Sequence, residues 1–210
     1  MPGQTAIVTH IDQRHPPSVS PGTITPEVAS DFEQSAMFFF LNAKGGVADD
    51  QKVSRILGCF TDSLIRDWMK CEMDTLTALS FTEFMEQFRA KWLAPNWEHE
   101  VTTQILGARL DPAKESFEDW VIRIQKLNVT LRGSPSHLDG TQLRAQLEAG
   151  LDPDLRLLAT EQSASAARDL QPWIDKVRTI DRKRQADKKR RLSEFEQFLR
   201  HPKRSYIPDR

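Results

Sequence analysis

The chain has 210 residues, 39% hydrophobic and 28% charged, with a formal net charge of −1: enough apolar side chains for one substantial core or two modest ones. Two cysteines in a chain of this length make no disulfide scaffold, and the longest unbroken apolar run, AMFFFL at 36–41, falls far short of the roughly 20 residues of a membrane span. The small net charge hides a bipolar distribution, because residues 176–210 hold 13 Lys or Arg against 5 Asp or Glu, a net of +8, and residues 1–175 carry −9.

In chain order, residues 1–25 are rich in Pro, Ser and Thr, lack the pattern of a secretory signal, and read as a disordered leader. Thr25 and Pro26 supply a cap and first helical position for a helix that the pair Gly45-Gly46 closes. Val53, Ile56, Leu57, Phe60, Leu64, Ile65, Trp68 and Met69 then follow the three-and-four spacing of a buried helical stripe, with a break near Gly58 or Thr61. Ser80 and Glu83 have the spacing of a capping box ahead of Phe84, Phe88 and Trp92, and Pro95 ends that helix.

A further segment runs from Trp97 to Leu110, where Asp111-Pro112 stops it. Ser116 caps a helix bearing Phe117, Trp120, Val121, Ile124, Leu127 and Leu131 on one face. After the turn GSPSHLDG, Leu143, Leu147 and Leu151 share a face, with Gly150 as the stop. Asp152-Pro153 opens a short helix through Leu155 and Leu158, and Ser163 to Ala167 loosens the chain. The last helix starts near Asp169 and reaches about residue 200. Leu170, Trp173, Ile174, Val177 and Ile180 form its apolar face, which fades through RKRQADKKRR at 182–191 and returns weakly at Leu192, Phe195, Phe198 and Leu199. The basic run therefore sits on a helix that has left the core. The expected fold class is all-α.

Catalytic constellations do not emerge. Nothing matches a phosphate-binding glycine loop. His10, His15, His99, His137 and His201 are scattered, and Glu98-His99-Glu100 point about 100° apart on a helix and cannot converge on a metal. Glu118 and Asp119 occupy a helical first turn, where acids favour the dipole. The order DGT at 139–141 is not that of an aspartic-protease loop. Trp68, Trp92, Trp97, Trp120 and Trp173 lie on apolar faces and read as core, and Cys59 and Cys71 as small buried hydrophobes. No enzyme, metal or cofactor is expected.

The segments RILGCFTDSLIRDWM, SFTEFMEQFRAKWLAPNWEHEVTTQILGARLDPAKESFEDWVIRIQKL and LRAQLEAGLDPDLR, in that order, resemble the Gag capsid region of gypsy-class LTR retrotransposons and their Arc-like relatives. Three features carry the resemblance: the helix ending in Asp67-Trp68; the helix with Phe81, Phe84, Phe88 and Trp92 that leads through a proline into L-x-P-x-x-E-S-F-E-D-W; and Gly150, Leu151, Pro153, Leu155 and Arg156. It implies two small helical lobes of retroviral-capsid type, at 28–95 and 97–185, with the gag domain proper over roughly 60–160, flanked by the leader and a basic tail at 182–210. It further implies self-assembly into virus-like particles, an RNA cargo and a cytoplasmic location, without enzymatic work. The zinc knuckle of many Gag proteins is missing here, since no cysteine follows residue 180. Non-specific RNA binding then rests on Arg182, Lys183, Arg184, Lys188, Lys189, Arg190 and Arg191, which would neutralise phosphates and release counterions. The alternative is a host-adopted dimerisation or interaction module without shells, its basic run serving for nuclear entry.

Overall fold

The computed structural model describes residues 4–12 and 14–200, with side chains to residue 197. Pro2 of the leader, the side chains of Phe198 and Leu199, and His201 with the rest of the basic tail to Arg210 lie outside the described residues. Contacts divide the chain into two units, residues 1–103 with 126–137 and residues 104–125 with 138–210, whereas the sequence reading draws one boundary at Pro95-Asn96. The all-α class is as expected, with two very short strands added.

Those strands correct the expected disordered leader. β1 (Val8–Thr9) pairs antiparallel with β2 (Ser18–Val19), Val8 opposite Val19 and Thr9 opposite Ser18. The pairing extends through Ala6 N–H to the Thr23 carbonyl (3.0 Å) and Ser20 N–H to the Ile7 carbonyl (2.9 Å). The physical reason is a period of two that the composition conceals: Ala6 is buried and Val8 and His10 half-buried, between exposed Thr5, Ile7 and Thr9. The Val19 carbonyl accepts from both the backbone N–H (3.0 Å) and hydroxyl (2.8 Å) of Thr61, which ties the ribbon to the first unit. Gly22 permits the crossing, since a Cβ there would meet the Gln4 carbonyl oxygen at 2.4 Å.

The rest of the first unit is helical. α1 (Pro26–Asn42) begins at Thr25, whose hydroxyl accepts from Val28 N–H at 3.3 Å. α2 (Lys52–Ile56) and α3 (Ser63–Cys71) are separated by a 3₁₀ turn at Leu57–Cys59. Asp62 starts α3 afresh by accepting from Leu64 and Ile65 N–H, which turns Leu64 outward and removes it from the expected stripe. α4 (Met73–Thr77) is short, and α5 (Phe81–Trp92) opens on the expected capping box of Ser80 and Glu83. The core is aromatic: Phe32 lies 4.6 Å from Phe60 between ring centroids, Phe60 lies 5.0 Å from Phe88, and Trp68 flanks Phe84, Phe88 and Trp92. Arg89 of α5 donates to Glu33 of α1, an ion pair largely removed from water.

α6 (Trp97–Gly107) and α7 (Phe117–Thr130) follow, each with residues in both units. α6 stops at Gly107, short of the expected Leu110. Leu110 N–H instead donates to the Gly150 carbonyl at 2.8 Å. In the second unit, Phe117, Trp120, Val121 and Ile124 meet α8 (Gly140–Gly150), α9 (Pro153–Glu161) and α10 (Leu170–Arg200) around a core completed by Leu143, Leu147, Leu155, Trp173, Ile174, Val177 and Ile180. Arg156 donates to the carbonyls of Ala149 (2.7 Å) and Leu151 (3.2 Å), closing the end of α8 that Asp152-Pro153 leaves behind. Lys176 and Arg144 hold the loop between α9 and α10 by donating to the carbonyls of Ser163, Arg168 and Ser165.

Gly150 is glycine for a reason other than helix termination. It is the last residue of α8, as expected, but a Cβ there would stand 2.6 Å from Trp120 Cζ2 and 2.9 Å from the Ala108 carbonyl oxygen. Helix propensity alone favours Ala over Gly by about 1 kcal/mol. Gly150→Ala is nevertheless expected to destabilise the protein by about 1–2 kcal/mol in chemical denaturation, because the ring and backbone it meets are buried and fixed.

The cysteines differ from the expectation that both are buried: Cys59 is buried and Cys71 exposed. Burial pushes the Cys59 thiol up to about 12, and the thiolate is the reacting form. A maleimide at pH 7.5 is therefore expected to label one thiol of the native protein, at Cys71 by peptide mapping, and two after denaturation.

Candidate nucleic-acid interface

The expected basic site lies on α10, a helix of 31 residues and about 46 Å at 1.5 Å per residue. Its first half is anchored by Trp173, Ile174, Val177 and Ile180, all at most 4% exposed. The basic run begins two residues after Ile180, where the core contact has not yet ended.

Arg184 shows this directly. Its Nη1 donates to Asp152 Oδ1 at 2.7 Å and its Nη2 to Asp181 Oδ1 at 2.8 Å. Its side chain is only 18% exposed, and those of Asp152 and Asp181 are 9% and 4% exposed. Asp152 Oδ1 also accepts from Leu155 N–H (3.2 Å), so one carboxylate caps α9 and clamps α10. Gln185 Nε2 donates to Asp181 Oδ2 at 2.6 Å. Burial pulls Arg184 down, but its hydrogen bonds and charge attraction to Asp152 and Asp181 outweigh this and hold it above its ordinary value. Arg184 is thus engaged by two carboxylates inside the basic run and is half-buried, unlike the cations around it.

The other six residues are exposed. Arg182 donates to Glu118 Oε2 at 2.8 Å, beside Arg178 at 3.6 Å from the other carboxylate oxygen. Arg190 lies 3.2 Å from Asp187 and 4.0 Å from Glu194. Exposed pairs of this kind are worth at most about 1 kcal/mol, so either arginine can exchange its partner for a phosphate. Lys183, Lys188, Lys189 and Arg191 have no ion pair among the described residues.

At about 100° per residue these cations fall on two sides of α10. Arg182, Lys183, Lys189 and Arg190 lie on the outward side. Lys188 and Arg191 share the side of Arg184 and border a groove of about 570 Å³ between α9 and α10, whose apolar walls are Leu157, Leu158 and Leu192. The outward set is a ridge of positive charge without an aromatic platform, suited to sequence-independent contact with phosphates.

The sequence reading identified the cations but not their sorting. Asp181 at three residues from Arg184 is a legible helix pair; Asp152, 32 residues away, carries no local signal, and neither does the groove. Glu118, read as a dipole-favourable acid, holds Arg178 and Arg182 as well. The Glu98-His99-Glu100 cluster stays at the first turn of α6, with Glu100 accepting from Asn96 at 2.7 Å. No helix among the described residues is long and apolar enough to cross a membrane.

No protein-family model matches the chain, and no curated protein does. Among solved structures, a dARC1 capsid domain dimer is similar with a TM-score of 0.36 at 14% sequence identity, over 77% of this chain and 92% of that one. Likeness at that TM-score carries no argument for fold or function.

The clamp makes a graded expectation. Arg184→Met, which leaves two buried carboxylates uncompensated, is expected to cost about 3 kcal/mol in urea unfolding, whereas Lys189→Gln on the outward side is expected to stay within about 0.5 kcal/mol.

Proposed function

We propose that the chain is a non-enzymatic, Gag-like capsid protein that self-associates and holds RNA through the outward side of α10. The observation that carries the reading is the ridge of Arg182, Lys183, Lys189 and Arg190, exposed on a helix whose first half is anchored in the second unit. Two further points support it. The succession of capsid-like segments spans both helical units, and the acidic residues 1–175 keep RNA from spreading over the body by like-charge repulsion. In this role each cation neutralises a phosphate and releases a counterion, so affinity falls with salt and ignores base sequence.

The test replaces the four outward residues by Gln. Single-stranded RNA affinity is expected to fall at low salt, and the slope of log K against log salt to become shallower by about 3, at roughly 0.7 per lost phosphate contact. Electron microscopy of the nuclease-treated protein is expected to show shells that appear or enlarge when RNA is added. Unchanged affinity and slope would remove the RNA reading. Monomers or dimers under all conditions would replace the capsid by a non-assembling interaction module.

A further inference from the structure

Two exposed apolar faces remain, one acidic and one basic, and neither is used by the RNA reading. The first is on α1. This helix contains Glu27, Asp31 and Glu33 and no Lys or Arg. Glu33 is occupied by Arg89, but Glu27 and Asp31 are exposed, with no ion pair among the described residues. Burial and the neighbouring Glu27 push Asp31 up, with Lys126 offsetting part of the effect, so the fold leaves this acid's charge poorly compensated. On the same side of α1, by helical spacing, stand Phe38 at 40%, Met37 at 47% and Leu41 at 77% exposure. The second face is the α9–α10 groove. Leu157, Leu192 and, one turn beyond, Phe195 are 61%, 54% and 59% exposed, and Lys188 and Arg191 stand beside them, with Asp154 and with Asp187, which Arg190 holds at 3.2 Å.

Large apolar side chains grouped among charges mark an interaction surface, and each face has an excess of one sign: acidic on α1, and basic at the groove, where Lys188 and Arg191 outnumber Asp154 once Asp187 is held by Arg190. Pairing like with like is the poorer arrangement, because two copies of the groove would set Lys188 and Arg191 against each other with Asp154 as the acid left to offset them, and two copies of α1 would oppose Glu27 and Asp31. Pairing unlike faces satisfies both. The order along the helices also agrees: acid precedes apolar on α1, and base precedes apolar on α10. RNA is the poorer occupant of the groove, since phosphates would leave Leu157, Leu192 and Phe195 uncovered.

We propose that the α9–α10 groove of one copy receives the α1 face of a second copy, in a head-to-tail, salt-dependent contact that leaves the outward cations of α10 available to RNA. This rests on the self-association part of the function proposed above. Such a contact is heterologous, so every copy offers one unused half and the assembly extends until it closes. Its charges set register and disfavour the like-charged pairings, while the apolar side chains supply the burial.

The experiment is sedimentation velocity on the full, nuclease-treated chain across protein concentration and salt, with thermal melts as a check on folding. One variant carries Glu27→Lys and Asp31→Lys; another carries Lys188→Glu and Arg191→Glu. Each alone is expected to need at least about tenfold more protein to associate, the equivalent of about 1.4 kcal/mol. Their equimolar mixture is expected to regain association, as is a single chain carrying all four changes. Only contact between copies can restore the mixture. Leu192→Ser with Phe195→Ser, which changes two exposed positions, is expected to weaken association without altering the RNA salt slope.

Folded single-set variants that associate like the original chain, or a mixture that stays monomeric, would overturn this contact. If the unaltered chain still forms shells in that case, the capsid reading stands and only the assignment of faces fails. An unaltered chain that never associates overturns both.

Discussion

Two buried carboxylates share one guanidinium where α9 meets α10, and much of what the second unit presents to its surroundings depends on that triad. Asp152 has two duties, capping α9 through Leu155 N–H and accepting from Arg184. Asp181 sits at the last turn of α10 that faces the core, beside Ile180. Joining them through Arg184 fixes the direction in which α10 leaves the unit. A hydrophobic pair in that place could be as stable, but it would not fix the axial rotation of the helix as three directional hydrogen bonds do.

Rotation is what converts a basic run into two surfaces. A helix with six exposed cations in ten residues, turned arbitrarily, would present positive charge all round. With Arg184 held inward, Lys188 and Arg191 are committed to the α9 side and Arg182, Lys183, Lys189 and Arg190 to the other. The cations beside Leu157 and Leu192 then belong to a mixed apolar and charged face, the kind protein partners use, while the remaining ridge is almost purely electrostatic. One element thus serves two chemistries whose salt dependence differs in origin: short-range pairing at an interface in one case, counterion release from a polyanion in the other.

The first unit is built differently. Its core is a run of aromatic contacts among Phe32, Phe60, Phe88, Phe84 and Trp68, crossed by the ion pair of Glu33 and Arg89. With Glu33 engaged, Glu27 and Asp31 on the outer side of α1 have no ion pair among the described residues, and Met37, Phe38 and Leu41 extend that side into an apolar patch. The ribbon of residues 4–12 and 14–24 covers other apolar surface through Ala6, Val19 and Ile24, each at most 6% exposed. The unit therefore conceals one hydrophobic region with its own chain and leaves another open.

Most helices were legible because each depends on neighbours within one or two turns. Thr25 with Pro26, Ser80 with Glu83, Ser116 and Asp152 are start signals whose hydrogen bonds close within three residues. The apolar spacing from Phe117 to Ile124 and from Trp173 to Ile180 identified the buried faces. The leader was misread because prolines and hydroxyl residues outweigh a two-residue alternation that only a partner strand makes meaningful. Leu64 is not on the buried face because the break expected near Gly58 or Thr61 also resets the helical phase, which Asp62 fixes anew, and composition alone does not tell the exposed Cys71 from the buried Cys59. Gly150 does end α8, but the atoms that require glycine there, in Trp120 and at Ala108, are 30 and 42 residues away and leave no local signal. By itself, then, the sequence determined the helical class, the helix starts and the charge polarity, all of which follow from short-range hydrogen bonding, periodicity and composition. Which cations face a partner and which are spent inside was decided only by tertiary structure, because that sorting rests on the meeting of Asp152 with Arg184, and no local rule relates residues so far apart in the chain.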